Sequence, residues 1–567
     1  MPEVIASSPK SLVRDTADMR WQVAADWEEA LLDAEGLRLD EWLAAGRARV
    51  VKQNPGRTIY RIDLPAKTLF LKHYQGDWLE RLRQWFRTST ARREWLKTAE
   101  LSRRNVPTVR PVALGEPRRP TWVREQFFLT EAIPNAISAG EALAISRGPN
   151  SQRSAKWRRQ LIVALARFVA AAHHSGVLHD DLHTGNILVG TGADGQPRPY
   201  LIDLPKVRFG GPLGWPASRD NLAMLYSGNL WQLSRTEQVR AWRVYRECRP
   251  ELKIADSLEA GQDIVRRAWA HARYTAHGRN RRPLRFNREF YHQHLPAGVG
   301  YAVREVAAET LGRSIENAAD LLNAGLGRSH KLTHGSVVVQ TQLDLRDGPV
   351  EIALKRYRPR NWRKLLQALW RPSRARESFV RGHALLARGI PTPKPLMAVA
   401  PNGWKHVGES YLATTWIQGA LNLHLYAWRL GEASAAERRT RCRLAARNLG
   451  QMVGRLHAWR ISHHDLKGCN VLLTDRGADV EVYLIDLDGI RWHRRLSERK
   501  VIDNLARLAV SASAHPWIGR GDQLRFLRAY LFHAQRSRAE WKSLWRAAAA
   551  RSAEIADRLR REEGPLA

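Results

Sequence analysis

One eight-residue pattern occurs twice in this chain, and its repetition limits the possible folds more than any other feature. Residues 179–186 read His-Asp-Asp-Leu-His-Thr-Gly-Asn, and residues 463–470 read His-His-Asp-Leu-Lys-Gly-Cys-Asn. Each copy is followed by the apolar segment Tyr-Leu-Ile-Asp, which ends at Asp203 in one case and at Asp486 in the other. Two widely separated copies with the same internal spacing indicate a duplicated domain.

A second pair of matches precedes each copy. Short apolar runs end at Lys72 and Lys355, and a segment compatible with a helix then brings Glu94 and Glu377. Twenty-two residues separate the lysine from the glutamate in both halves. Lysine, glutamate, aspartate, asparagine and aspartate therefore follow one another twice in the same order, which scattered surface charge does not explain.

The length of the chain fits this division. At 567 residues it is too long for one ordinary domain and long enough for two. We place the first domain at residues 1–290, with its core at about 50–280, and the second at residues 291–567, with its core at about 325–545. The run Leu295–Gly300, which breaks any helix, lies near this boundary.

The repeated order resembles the catalytic and metal-binding loops of kinase-type phosphotransferases. In those enzymes a strand lysine, held by a helix glutamate, contacts the nucleotide phosphates, and a loop aspartate orients the attacking hydroxyl. An asparagine and a later aspartate hold magnesium. The resemblance implies an α+β fold of two tandem protein-kinase-like domains, each with a small β-rich N-lobe and a larger helical C-lobe, and the cofactors ATP and Mg²⁺.

The resemblance assigns the same set of roles in both halves. The residues are Lys72, Glu94, Lys355 and Glu377 for nucleotide binding, Asp181, Asp465 and Lys467 for catalysis, and Asn186, Asp203, Asn470 and Asp486 for magnesium. The halves differ two positions after the catalytic aspartate, where Lys467 has His183 as its counterpart. Lysine can steady the transferring phosphoryl group, whereas histidine can do so only when protonated or as a neutral donor, so we expect a slower first half. We also expect Asp220 and Asp503 to anchor the loop backbone.

Three features depart from protein kinases of the eukaryotic type. No Gly-x-Gly-x-x-Gly loop precedes either strand lysine, and the nearest substitutes are Pro55–Gly56 and His334–Gly335. The metal loops read Asp-Leu-Pro and Asp-Leu-Asp, and no Ala-Pro-Glu segment follows either of them. A peptide-binding platform is therefore not expected.

With these departures the chain resembles the lipopolysaccharide kinase family (Kdo/WaaP type). The matching features are the segment Arg93–Trp95, the turn Ile390–Pro395 and both loop patterns. The resemblance implies ATP-dependent phosphorylation of a sugar hydroxyl, on heptose or Kdo of the lipopolysaccharide inner core, at the cytoplasmic face of the inner membrane. The implied partners are the core or lipid A–core glycolipid and an anionic membrane surface. The tandem form is a departure, since most relatives carry one kinase domain.

Composition indicates a strongly basic protein. The net charge of +36 favours polyanionic partners. Basic amphipathic segments, Trp78–Phe86 and Trp362–Trp370, suit either an anionic interface or ordinary packing on the small lobe. No apolar stretch is long enough to span a membrane, no secretory signal is visible, and the three cysteines form no disulfide framework. No nucleic-acid-binding motif is recognised, so no nucleic acid is expected.

Two other functions stay open. One is a kinase that acts on a protein or small-molecule hydroxyl. The other is a pseudokinase-type protein that binds nucleotide or glycolipid with one or both sites inactive. Retention of all five key residues in each half argues against inactivity, while the missing glycines and the Asp-Leu-Pro loop argue for it in the first half.

Overall fold

The computed structural model describes residues 11–16, 18–54, 56–65, 67–75, 89–118, 125–146, 154–324, 329–333, 336–359, 371–402 and 408–563. The chain forms two compact units, Met1–Tyr274 and Thr275–Ala567. This division comes earlier in the chain than the boundary that we placed at residues 290–291. Several segments singled out above lie outside the described residues, namely Trp78–Phe86, Trp362–Trp370, Pro55 and His334–Gly335.

The first unit begins with a seven-stranded antiparallel sheet. In spatial order its strands are Ser11–Asp15, Met19–Ala24, Pro111–Pro117, Glu125–Glu131, Thr68–Gln75, Arg57–Asp63 and Ala48–Asn54. Burial alternates along Thr68–Gln75, so its leucines enter the core while Lys72 and Tyr74 face the other side. Helix Thr90–Arg103 packs on that other side through Trp95. The strand lysine therefore lies on the face that the helix covers.

The rest of the first unit is mostly helical. Its helices are Glu28–Leu31, Leu39–Ala44, Ala139–Ile145, Ala155–His174, Trp215–Ser227, Arg235–Glu247 and Ser257–Arg279, the last of which continues past Tyr274. Its 3-10 turns are Thr184–Asn186, Leu204–Lys206 and Pro250–Leu252. Two small antiparallel sheets consist of Ile137–Ser138, Ile187–Thr191 and Pro197–Leu201, and of Val177–His179 and Val207–Phe209. Ser154 caps the long central helix, and Gly176, at φ 70°, follows its end.

The second unit repeats this architecture with the same strand order. Its large sheet consists of Phe290–Leu295, Gly298–Val303, Pro395–Pro401, Ser410–Thr415, Gly348–Tyr357, Ser336–Leu345 and Ser329–Thr333. Its helices are Ala308–Glu316, Ala318–Ala324, Arg374–Leu386, Leu423–Glu432, Ala435–Ala458, Glu498–Ser513, Arg520–His533 and Trp541–Glu563, with 3-10 turns at Arg282–Leu284, Gly468–Asn470, Leu487–Gly489 and Arg538–Glu540. The small sheets are Leu421–Asn422 with Val471–Arg476 and Asp479–Leu484, and Ile461–His463 with Ile490–Trp492.

Both large sheets begin before the cores expected from the sequence. Strands Ser11–Asp15 and Met19–Ala24 precede residue 50, and strands Phe290–Leu295 and Gly298–Val303 precede residue 325. Each of these hairpins pairs with the sheet through its second strand. The succession of a large sheet and a helical part, found twice, confirms the predicted α+β class.

Candidate active site

Short ladders bring the catalytic loop and the metal loop together in each unit. In the first unit, strand Ile187–Thr191 begins directly after the catalytic loop, and its partner Pro197–Leu201 ends shortly before the metal-loop aspartate. The backbone N–H of Ile202 donates to the carbonyl of Asn186 at 2.9 Å. The equivalent bond in the second unit is 3.0 Å long. Strand pairing therefore places the asparagine beside the residue that precedes the aspartate.

The two predicted magnesium-binding asparagines close their own loops. Asn186 Nδ2 donates to the carbonyl of Asp181 at 2.9 Å, and Asn470 Nδ2 donates to that of Asp465 at 2.8 Å. Both asparagines are buried. The amide nitrogen is used within the loop, and the amide oxygen is the atom that suits a hard cation.

The two metal-loop aspartates have a left-handed backbone. Asp203 and Asp486 each have a φ of 58°, where residues other than glycine are uncommon. Strain of this kind clusters at functional sites. Within the described ranges, no group of three or more His, Cys, Asp or Glu side chains forms a metal site by itself. One asparagine and one aspartate per unit instead fit a magnesium ion that keeps waters and phosphate oxygens as its other ligands.

In the first unit the strand lysine meets the helix glutamate. Lys72 Nζ lies 2.5 Å from Glu94 Oε2, and Tyr74 Oη donates to Glu94 Oε1 at 2.5 Å. Glu94 is only 1% exposed. Burial, followed by the charge of Glu94, raises the pKa of Tyr74, so its hydroxyl stays protonated as a donor. Lys72 is thus held by a buried carboxylate, as a phosphate-binding lysine is in kinases.

The second unit differs, and the predicted pairing of Lys355 with Glu377 is wrong. Lys355 Nζ lies 2.7 Å from Asp486 Oδ1. Glu377 pairs instead with Arg381, one helical turn along, at 2.6 Å, and 42% of its side chain is exposed. The structure therefore provides no contact through which Glu377 would hold the strand lysine.

A shift of one residue explains the difference. The helices that carry the two glutamates begin after Ser89 and Ser373, whose hydroxyls cap them. Counted from these caps, the residue that corresponds to Glu94 is Ser378 and not Glu377. The segment between strand and helix is one residue longer in the second unit, so an equal lysine-to-glutamate spacing does not mean an equal position.

The tyrosine beside each lysine supports this correspondence. Tyr74 and Tyr357 both lie two residues after the strand lysine. Tyr74 donates to Glu94, and Tyr357 Oη donates to Ser378 Oγ at 3.3 Å. The first unit thus has a helix carboxylate where the second has a hydroxyl.

A cation accompanies each catalytic aspartate, but it comes from a different element in each unit. Lys206 Nζ, in the metal loop, lies 2.6 Å from Asp181 Oδ2. Lys467 Nζ, in the catalytic loop, lies 3.0 Å from Asp465 Oδ2, and Arg507 Nη1 lies 3.3 Å from Asp465 Oδ1. Lys206 and Arg507 were not predicted, because no sequence motif joins them to the aspartates.

These cations set the charge of the groups around them. Burial alone would raise the pKa of Asp181, but the hydrogen bond and charge of Lys206 outweigh it and hold that pKa below its ordinary value. Burial alone would lower the pKa of Lys467, but Asp465 outweighs it and raises that pKa. Asp181 is thus ionised, as a proton acceptor must be, and Lys467 keeps its positive charge.

A glycine explains why the second unit takes its cation from elsewhere. Gly489 and Lys206 both lie three residues after the metal-loop aspartate. A Cβ atom at position 489 would lie 2.5 Å from the ring of His463. That ring hydrogen-bonds the carbonyl of Asp486 at 3.0 Å and is fully buried, so it has little freedom to move. A lysine therefore has no room at this position in the second unit.

His183 contacts its own loop instead of the catalytic aspartate. Its Nδ1 atom accepts from the backbone N–H of Gly185 at 3.0 Å. This bond holds the ring against the backbone of the following turn. In the first unit the cation next to Asp181 is Lys206. Whether the first unit is slower stays a prediction.

Asparagines, rather than the expected Asp220 and Asp503, anchor the loop backbone. Asn221 Nδ2 donates to the carbonyl of the first loop histidine at 2.8 Å, and Asn504 Nδ2 does so in the second unit at 2.7 Å. Asp220 and Asp503 pair with arginines of later helices at 3.3 and 2.6 Å. The neutral asparagine carries both a donor and an acceptor, and it uses both inside the fold.

The acceptor atoms of these asparagines contact buried histidines. His173 and His457 lie 3.0 and 3.2 Å from the asparagine oxygens, and 2.8 and 2.9 Å from a tyrosine hydroxyl. Burial lowers the pKa of both histidines to about 4. Each loop is therefore connected to a neutral, buried histidine.

Comparison with known proteins identifies the family. The model of the lipopolysaccharide kinase (Kdo/WaaP) family matches residues 41–245 and 341–530, more than half of the chain. The chain belongs to this family. One matched segment falls in each unit, so the predicted tandem kinase-like architecture is confirmed. Membership of a kinase family supports phosphotransferase activity and the use of ATP.

Individual relatives are more distant. The chain is 26% identical over 218 residues to the lipopolysaccharide core heptose(I) kinase WaaP of Pseudomonas aeruginosa, which covers 36% of this chain and 79% of that protein. Among solved structures, it is 25% identical to WaaP in complex with acyl carrier protein, covering 40% of this chain and 91% of that chain, with a TM-score of 0.31. The chain is 15% identical to the PknI kinase domain of Mycobacterium tuberculosis, and the match covers 39% of this chain and 94% of that chain with a TM-score of 0.24.

In the ranges given for the structure, no helix is both long and apolar enough to cross a bilayer.

Proposed function

We propose that this chain is an ATP-dependent kinase that phosphorylates a sugar hydroxyl, on heptose or Kdo, of the lipopolysaccharide inner core. The observation that carries the proposal is the catalytic aspartate of each unit, which lies beside a cation in a loop closed by the asparagine. Family membership adds support, as does the relative that is named a core heptose(I) kinase.

The chemistry assigns one role to each group. The sugar hydroxyl oxygen forms a bond to the γ-phosphorus of ATP while the bond between that phosphorus and the oxygen of ADP breaks. Asp181 or Asp465 orients the hydroxyl and accepts its proton. Bound magnesium neutralises phosphate charge, and the asparagine and metal-loop aspartate of each unit would hold it. Lys72 contacts the nucleotide phosphates, and Lys467 steadies the phosphoryl group.

We further propose that the chain works at the cytoplasmic face of the inner membrane as a peripheral protein. The net charge of +36 supports this, because a basic surface is drawn to anionic lipid and to the phosphates of the acceptor. Vesicles with and without anionic lipid test this part: binding should require the anionic lipid and weaken as salt is raised. Equal binding to neutral vesicles would contradict it.

A second candidate function applies to the second unit alone, as a binding domain without turnover. Ser378 stands where the first unit has the lysine-holding Glu94. Lys355 contacts Asp486, the aspartate proposed to hold magnesium. Separate replacement of the two catalytic aspartates distinguishes this candidate, since a non-catalytic second unit would tolerate Asp465→Ala.

Mass analysis of core oligosaccharides from cells tests the proposed function. Cells that carry the intact gene should contain phosphate on a core sugar, and cells with both Asp181→Ala and Asp465→Ala should lack it. The variants must accumulate to the same level as the wild-type protein. A core with unchanged phosphate in the double variant would refute a role in core phosphorylation.

A further inference from the structure

The second unit has no glutamate at the position that corresponds to Glu94, but its metal loop has an acid that the first unit does not have. Two residues after the metal-loop aspartate, the first unit has Pro205 and the second has Asp488. The first residue of the helix also differs, because it is Thr90 in one unit and Arg374 in the other. These changes accompany the replacement of a glutamate by Ser378.

The new residues contact one another. Ser378 Oγ donates to Asp488 Oδ1 at 2.9 Å, and Arg374 forms an ion pair with the other oxygen of Asp488. Tyr357 Oη donates in turn to Ser378. Hydrogen bonds therefore connect the tyrosine to a carboxylate in both units. In the first unit the tyrosine donates directly to the helix glutamate, and in the second a serine connects it to the metal loop.

Each unit has two carboxylates on the elements around its strand lysine, and one of them changes its place between the units. The first unit has one strand ammonium group with a helix carboxylate and a metal-loop carboxylate. The second has Lys355 with two metal-loop carboxylates, Asp486 and Asp488. Lys355 Nζ contacts Asp486 Oδ1 at 2.7 Å, and Asp488 lies two residues further along the same loop.

The position of Asp488 also affects the metal loop. It lies inside the 3-10 turn Leu487–Gly489 that follows the left-handed Asp486. Its contacts with Arg374 and Ser378 tie this turn to the helix. Loss of the carboxylate would release the turn and, with it, the orientation of Asp486, to which Lys355 is bound.

We infer that Asp488 is a positioning residue that replaces the helix glutamate in the second unit. It keeps Asp486, and with it the Lys355 that Asp486 contacts, in the orientation in which this unit binds a magnesium–nucleoside triphosphate complex. The inference rests on the proposed ATP-dependent function and concerns the second nucleotide site only. Glu94 holds the strand lysine directly in the first unit, whereas Asp488 acts through Asp486 in the second.

The test measures binding of a fluorescent ATP analogue with Mg²⁺ to the full-length chain. Lys72→Met weakens the first site, and Lys72→Met with Lys355→Met gives the baseline. In the Lys72→Met protein, Asp488→Asn should raise the Kd about tenfold, since it removes hydrogen bonds to a charged group. Adding Ser378→Glu to Asp488→Asn returns the carboxylate to the helix and should bring the Kd back to within about threefold of its starting value.

The matched control is Asp479→Asn, which changes an exposed aspartate of a hairpin in the same unit. It should leave the Kd unchanged. An Asp488→Asn protein with the starting Kd would overturn the inference. So would a weakened Kd that Ser378→Glu does not restore, because Asp488 would then matter only for folding of the loop.

Absence of binding above the baseline in the Lys72→Met protein would overturn the inference as well. That result would leave the proposed function to a separate measurement. Phosphate transfer to the core glycolipid by the Lys355→Met protein, whose first unit is intact, judges that function independently of the second nucleotide site.

Discussion

Replacing Glu94 by glutamine removes a buried charge while keeping the shape of the side chain. Glu94 is 1% exposed and accepts from Lys72 and from Tyr74, each at 2.5 Å. The matched control is Glu377→Gln, which the lysine-to-glutamate spacing in the sequence would rank as equivalent. In the structure, Glu377 forms an ion pair with Arg381, one helical turn along, and its side chain is 42% exposed.

The two substitutions should therefore have different effects on stability. A hydrogen bond to a charged group contributes about 1.5–3 kcal/mol, and glutamine keeps an acceptor, so Glu94→Gln should lower the unfolding free energy of its unit by about 2 kcal/mol. A partly exposed pair within one helix contributes about 0.3–0.5 kcal/mol, which limits the effect of Glu377→Gln. For a domain of this size, 2 kcal/mol corresponds to a fall in Tm of about 4–8 °C.

Thermal unfolding of the full-length variants and nucleotide binding measure these effects. Glu94→Gln should lower the Tm of the first unit and weaken nucleotide binding, because the charged partner of Lys72 is lost. Glu377→Gln should change neither. Equal effects of the two substitutions would refute the one-residue shift and restore Glu377 as the partner of Lys355.

Three further predictions concern protonation and catalysis. Asp181→Ala should reduce phosphate transfer by the first unit by about 10²–10⁴-fold, whereas the neighbouring Asp180→Ala should not. The transfer would be measured with labelled ATP in protein whose Asp465 is also replaced. Similar losses from the two substitutions would mean that Asp181 has no special role. Lys206→Met should raise the pKa of Asp181 and move the acid limb of that unit's rate–pH profile to higher pH, and an unmoved limb would exclude Lys206 as its partner. Since the folded-state pKa values of His173 and His457 lie at about 4, the unfolded state binds more protons below pH 6.5, so urea unfolding should show each unit losing about 2 kcal/mol between pH 7 and pH 5. Stability that is constant over this range would contradict the burial of neutral histidines.

Local sequence patterns were sufficient to predict much of the fold. The short apolar run that ends at Lys72 was sufficient to predict a strand that carries this lysine, and strand Thr68–Gln75 contains it. The loop patterns at residues 179–186 and 463–470 identify the turns that the asparagines close. These features depend on neighbours within a few residues, so a single sequence contains the necessary information.

The failure at Glu377 has a physical cause that the sequence also records. The interval from lysine to glutamate includes the segment that connects the strand to the helix, and insertions and deletions are well tolerated in such segments. The interval from the helix to the turn that follows it does not include that segment. It is twelve residues in both units, from Glu94 to Val106 and from Ser378 to Ile390. Measuring from that turn, or from the capping serines, would have identified Ser378.

Other site residues depend on tertiary contacts. Arg507 comes from a helix that begins well after the catalytic loop, and only the folded chain shows that it reaches Asp465. The role of Asn221, next to the expected Asp220, depends on which face of a helix turns towards the loop. A shift of one position around a helix moves a side chain by about 100°, so burial decides which neighbour is used.

Phosphate transfer by the purified full-length chain tests the central claim most directly. The chain would be incubated with γ-labelled ATP, Mg²⁺ and a core glycolipid that lacks phosphate on its sugars, and the products would be separated and analysed by mass. Labelled phosphate should appear on a core sugar with the wild-type chain and not with the variant that carries Asp181→Ala and Asp465→Ala. No label on the glycolipid with the wild-type chain, or equal label with the double variant, would contradict the account.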